Sequence, residues 1–151
     1  MTKVKSFIFP AVLAIGAVIF ALAGRSPATG ADYALDRAPE VVAVTFSSAW
    51  CPSCKVLEPR LAKVIPDFAD KPVKFVELDF TFGENAEVEA KAEGLGGVYP
   101  RFKGATGFTL LVDRDTGEII DMLTMDHSQG AMRAALAQAL AVAERTAPAA
   151  G

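Results

Sequence analysis

The 151-residue sequence is poor in the side chains that build metal centres: one histidine and two cysteines. A closed zinc site wants four ligands, and only three soft ones exist here. Positive charge is not in excess either. Fifteen Lys and Arg stand against eighteen Asp and Glu, a net charge of −3, which argues against nucleic acid and anionic membrane surfaces as partners. There is no internal repeat. A structural disulfide is also a poor reading of the two cysteines. Cys51 and Cys54 would close a loop of only four residues, so the gain in stability is near the bottom of the range for such bridges. A bridge that contributes so little is better suited to opening and closing.

What is present begins with the N-terminal segment. Lys3 and Lys5 form a basic start, and Phe7 to Ala23 is a run of seventeen uncharged, mostly apolar residues, ended by Gly24-Arg25-Ser26-Pro27. This pattern predicts a secretory signal or an uncleaved membrane anchor over residues 1–31 with its linker. Seventeen residues is short for a span, and Pro10 and Gly16 weaken it, so both alternatives stand. Either way the positive-inside rule keeps Lys3 and Lys5 cytoplasmic and carries the rest of the chain to the periplasm or cell envelope. Cleavage after Ala31 would remove three basic residues and no acidic one, leaving twelve against eighteen, a net charge of −6. Length sets one domain, residues 32–146, with a frayed tail at 147–151.

Periodicity orders that domain. An apolar run predicts a strand at 41–47, then a helix over 52–69 bent at Pro59 and Pro66, and a strand at 73–79. A short helix at 84–93 and a Gly-rich loop at 94–107 follow. Strands at 108–113 and 118–124 flank an Asp-Arg-Asp-Thr-Gly turn in which Gly117 can supply a positive φ. Ser128 is a good N-cap for a last helix at 129–145, which places Met132, Leu136, Ala139, Leu140 and Ala143 on one face.

The chemistry sits where the first strand gives way to the first helix, at Trp50-Cys51-Pro52-Ser53-Cys54-Lys55. A sulfur at a helix N-terminus faces unpaired N–H groups and the positive end of the macrodipole, which favour the reactive thiolate. Pro52 fits the first helical position, where its missing N–H costs nothing. Lys55 could add positive potential.

These residues resemble the active-site motif of the thioredoxin superfamily, and Pro59, eight positions after Cys51, resembles the proline that kinks that family's active-site helix. The resemblance spans about Val41 to Leu140. It implies a thioredoxin-like α/β fold of order βαβ-α-ββα, a four-stranded mixed sheet with helices on both faces. The extra N-terminal strand and helix of full thioredoxins have no room. It implies a thiol–disulfide oxidoreductase in which Cys51 attacks a substrate disulfide and Cys54 resolves the mixed disulfide. Trp50 and Pro52 would flank the sulfur and contact the substrate. Expected partners are a protein dithiol or disulfide and a redox donor protein, with no cofactor and no metal. A monomer is expected. Trp-Cys-Pro-x-Cys is similar to the envelope reductants of cytochrome c maturation. A thioredoxin-fold copper-handling protein using His127, or a non-catalytic binding module, are the alternatives.

Two departures from the family stand out. The buried acid that deprotonates the resolving thiol falls at Thr45, which cannot do that work, so Glu77 is the substitute candidate, provided it points at the sheet face under Cys54. The cis-proline before the third strand falls at Phe108, which is expected to be trans because a non-proline cis bond costs about 3 kcal/mol. The other candidate is Pro100 in Gly-Val-Tyr-Pro, which resembles the corresponding stretch of protein disulfide isomerase domains; the preferred alignment leaves it in an insertion.

Overall fold

The computed structural model describes residues 40–83 and 85–147. The basic and apolar N-terminal stretch, and with it the signal-or-anchor reading, lies outside the described residues, as does most of the 147–151 tail. Among the described residues no helix is long and apolar enough to cross a membrane.

Strands β1 (Val41–Ser47), β2 (Val73–Asp79), β3 (Phe108–Asp113) and β4 (Ile119–Thr124) form one mixed sheet of order β2-β1-β3-β4. β1 runs parallel to β2 and antiparallel to β3, and β3 and β4 form a hairpin. β1 is buried along its whole length, which is why it reads as a continuous apolar run rather than an alternating one. The edge strand β2 instead exposes Lys74, Glu77 and Asp79, charges that discourage pairing with another chain.

Helices cover both faces. On one, helix α1 (Cys54–Leu61) and helix α4 (Gln129–Thr146) bury Leu57, Leu61, Met132, Leu136, Ala139 and Ala143 against Val41, Ala43, Leu111 and Leu123. On the other, helix α2 (Ala86–Ala92) and the short helix α3 (Tyr99–Phe102) set Ala86, Ala90, Val98 and Tyr99 against Val42, Val44, Val76, Leu78 and Leu110. Ser128 caps α4 as expected, its hydroxyl accepting from the N–H of Ala131 at 3.2 Å. Gly117 takes φ +70° in the hairpin turn.

Three expectations need correction. The helix over 52–69 is not one bent helix. It stops at Leu61, after which Lys63 and Val64 bond three residues back, and a 3-10 turn (Ile65–Phe68) follows. Pro66 cannot donate to the carbonyl of Ala62 and its ring would clash with it, so the ladder breaks where a bend was predicted. Likewise Pro52 does not start the helix, which begins at Cys54 with Ser53 as its N-cap residue. The segment 94–107 is also more ordered than a loop. Leu95 closes α2 by donating to the Ala90 carbonyl at 2.7 Å, and α3 follows.

Asp113, almost wholly buried, ties the far end of the sheet together. Its carboxylate accepts from the N–H of Asp115 (2.9 Å) and Thr116 (3.0 Å) and from the Thr146 hydroxyl at the end of α4. Burial alone would raise its pKa, but these hydrogen bonds outweigh it and hold the group below the usual carboxylate range. A depressed native pKa adds stability that is present above the unfolded value of about 3.9 and is lost as pH falls through the native one. Asp113→Asn is therefore expected to lose about 1.5–3 kcal/mol in urea unfolding at pH 7, with the gap to the parent closing in acid. A gap of the same size at pH 2 would count against the charge-assisted account.

Candidate active site

β1 delivers the chain to its C-terminal edge at Ser47, and a turn closed by the Cys51 N–H on the Ser48 carbonyl (3.1 Å) redirects it into α1. Cys51 and Cys54 are joined as a disulfide with Cα atoms 5.3 Å apart. The Cys51 sulfur accepts the N–H of Cys54 at 3.1 Å. It thus occupies the place of a capping oxygen at the start of α1, and would carry a thiolate's charge against the positive end of that helix. Cys51 is 6% exposed and lines a groove; Cys54 is 2% exposed and does not line it. The Cys54 sulfur lies 3.9 Å from the Phe46 carbonyl, which a reduced Cys54 could meet as a weak donor.

The groove, of about 670 Å³, runs between the Cys-Pro-Ser turn and the segment around Lys103, Gly104 and Thr106. Trp50 and Pro52 line it, and Trp50 is 64% exposed, so its ring is not core packing. Lys55 is exposed on α1.

Phe108 lies elsewhere. It opens β3 opposite Phe46, and its ring stacks on Phe46 (centroids 4.9 Å) and meets Phe102 (5.5 Å) inside the second core. It is not among the residues that line the groove. No cis peptide bond occurs among the described residues, and Pro100 sits within α3. The residue that approaches the sulfur is Gly107, which sequence reasoning missed. It has φ +97°, and its N–H donates to the Phe46 carbonyl at 2.8 Å. A Cβ there would lie 2.8 Å from the Ser53 Cβ and 3.3 Å from the Cys51 sulfur. The glycine beside the expected cis-proline slot was the available signal.

Register explains the acid. Thr45 pairs with Glu77 on one side and Thr109 on the other, so all three share the face on which α1 packs. Thr45 and Thr109 are buried with their hydroxyls 2.8 Å apart, a satisfied neutral pair where the family keeps a carboxylate. Glu77 stands at the exposed edge of that row. Burial first, and the neighbouring Glu58 carboxylate second, raise its pKa, partly opposed by the Ser47 hydroxyl. Glu58 was not anticipated. It follows Cys54 by one turn of α1 and accepts a hydrogen bond from Ser47.

His127 is used locally: its Nδ1 accepts from the Thr124 N–H at 3.1 Å. No group of three His, Cys, Asp or Glu side chains that could hold a metal comes together among the described residues.

The family model that matches the sequence is Thioredoxin, over residues 30–103. That match agrees with the sheet order and the paired cysteines, which define a thioredoxin-like fold. No curated protein matches. Among solved structures, StoA from Bacillus subtilis is similar at 18% identity over 67% of this chain and 85% of that one, with a TM-score of 0.47. A thioredoxin-family thiol:disulfide interchange protein from Chlorobium tepidum is similar at 18% identity over 67% and 80%, with a TM-score of 0.46. The malaria parasite's thioredoxin-2, described as a component of protein secretion machinery, is similar at 14% identity over 65% and 82%, also at 0.46.

Gly107→Ala brings both a strained backbone and a collision with Ser53. It is expected to lower stability by about 1–3 kcal/mol and to slow reaction of the reduced protein with a disulfide. A variant that unfolds and reacts like the parent would show that this close approach is not required.

Proposed function

We propose that the protein is a thiol–disulfide oxidoreductase working through Cys51 and Cys54, a specialised reductant of the periplasm or cell envelope. The observation that carries this reading is the asymmetry of the pair: Cys51 lines the groove and accepts an N–H at the start of α1, while Cys54 is enclosed behind it. In the reduced protein the Cys51 thiolate attacks one sulfur of a substrate disulfide, forming a mixed disulfide and releasing the other sulfur as a thiolate. The Cys54 thiol, losing its proton, then attacks the Cys51 sulfur. The second substrate sulfur leaves reduced, and the enzyme is left with the Cys51–Cys54 disulfide. A dithiol donor protein must restore the pair.

Trp50 and Pro52 contact the substrate from the groove. Glu77, with its raised pKa, takes the Cys54 proton by way of the sheet edge. The N-terminal segment exports or tethers domain 32–146, consistent with its basic start and apolar run. The copper-handling alternative needs His127 beside the cysteine pair, and no such group of three side chains comes together among the described residues.

Cys54→Ser in the full chain is expected to accumulate a mixed disulfide with substrate, resolvable by mass spectrometry, whereas Cys51→Ser forms none. Adduct formation through Cys54 in the Cys51→Ser protein at the parent's rate would overturn the assignment of roles. For Glu77 the expectation concerns pH. Resolution of the mixed disulfide should show an inflection above the ordinary carboxylate value of about 4.3, and Glu77→Gln should remove it. An unchanged profile in the variant takes Glu77 out of the mechanism.

A further inference from the structure

Tyr99 is the unexplained side chain of the groove. It is 4% exposed, it lines the groove that holds Cys51, and its ring lies parallel to Phe80 with centroids 6.1 Å apart. Its hydroxyl makes no hydrogen bond to any described residue. Yet no buried side-chain nitrogen or oxygen among those residues is left without a partner. The hydroxyl therefore reaches the surface, and the surface Tyr99 lines is the groove. A phenol so deeply set normally finds a partner. At the surface the hydroxyl bonds to water, and a ligand entering the groove can take that water's place.

The rim supplies the second observation. Phe82 is 89% exposed, between the groove residues Phe80 and Gly83, and Trp50 is 64% exposed across the same motif. Phe82 is not presented by slack chain. Phe80 donates its N–H to the Ser47 carbonyl (2.9 Å), Thr81 donates to Asp79 Oδ1 (2.7 Å), and the Ala49 N–H donates to the Thr81 hydroxyl (2.8 Å). The aromatic rim is thus held against the Cys51 turn. Lys103 also lines the groove but already pairs with Glu87 at 3.4 Å, so the recognition offered is apolar rather than charged.

We propose that Tyr99 and Phe82 are substrate-recognition residues for an extended polypeptide whose reacting cysteine is flanked by an apolar, preferably aromatic, side chain. This rests on the thiol–disulfide reading above. The Tyr99 hydroxyl donates to the substrate main chain at the groove floor, while Phe82 and Trp50 cover the flanking side chain. A polypeptide is inferred over a small thiol because the exposed rings stand at the rim, where only a ligand longer than the groove covers them.

The test uses the reduced full chain and three disulfides: a peptide with Phe beside the cysteine, the same peptide with Ser there, and the small aromatic disulfide DTNB as a measure of the thiolate alone. The parent is expected to prefer the Phe peptide over the Ser peptide by about tenfold in kcat/KM. Tyr99→Phe, which keeps the ring stack, should lower the ratio of peptide rate to DTNB rate by about five- to tenfold. Phe82→Ser should collapse the preference between the two peptides. Equal rates for both peptides in the parent, or a Tyr99→Phe variant that slows peptide and DTNB in the same proportion, would overturn the proposal while leaving the oxidoreductase reading intact. A parent protein that reacts with DTNB no faster than glutathione does would overturn both.

Discussion

The site depends on one residue that carries no reactive group. The carbonyl of Phe46 receives the N–H of Gly107 and faces the Cys54 sulfur, while its ring packs against Phe80, Phe102 and Phe108. Backbone and side chain of this residue serve opposite faces of the sheet. The backbone brings the Gly-rich segment to the cysteines. The ring anchors the aromatic layer from which the groove floor, Phe80 stacked on Tyr99, is continued. Because β1 is an interior strand and fully buried, neither relation can relax without disturbing the core.

From that anchor the redox pair acquires its asymmetry without any charged partner. Cys51 ends the turn that begins at Ser48, just before α1, and its sulfur takes an N–H that would otherwise be unpaired at the helix start. Cys54, the first helical residue, is drawn under the turn by the same geometry. Exposure of one sulfur and enclosure of the other follow from the path of the backbone.

Elements with a clear period were legible in the sequence: the four strands, the hairpin turn at Gly117, and the capped final helix with its buried face. What was not legible depended on where a local tendency met tertiary packing. Pro59 is tolerated inside α1, but Pro66 ends up in a 3-10 turn, and nothing in the two prolines themselves distinguishes a bend from a break. The stretch 94–107 looked like a loop because of its glycines. Leu95, Val98 and Tyr99 nevertheless bury themselves against the sheet and hold α3 in place. Phe108 opens β3 with its ring stacked on Phe46 in the second core, and Gly107 before it makes the approach to the Cys51 sulfur.

The polar row beneath the pair shows how a change in one strand is accommodated by its neighbours. With threonine at position 45, the buried centre of the row is neutral, and Thr109 satisfies its hydroxyl across the sheet. A carboxylate placed there would meet Thr109 and a desolvated interior, a costly position unless its proton had work to do. The acidic groups stand instead at the β2 edge and on α1, where Ser47 donates to Glu58 and Glu77 lies close enough to feel that charge. Partial burial first, and the like charge of Glu58 second, make Glu77 hold its proton to higher pH than an isolated carboxyl does. Any proton leaving Cys54 toward this pair would travel along the sheet edge, close to water, rather than through a sealed core. The rate of that transfer would then follow the edge carboxylates and the solvent that reaches them, while the hydroxyl pair keeps the interior neutral and packed.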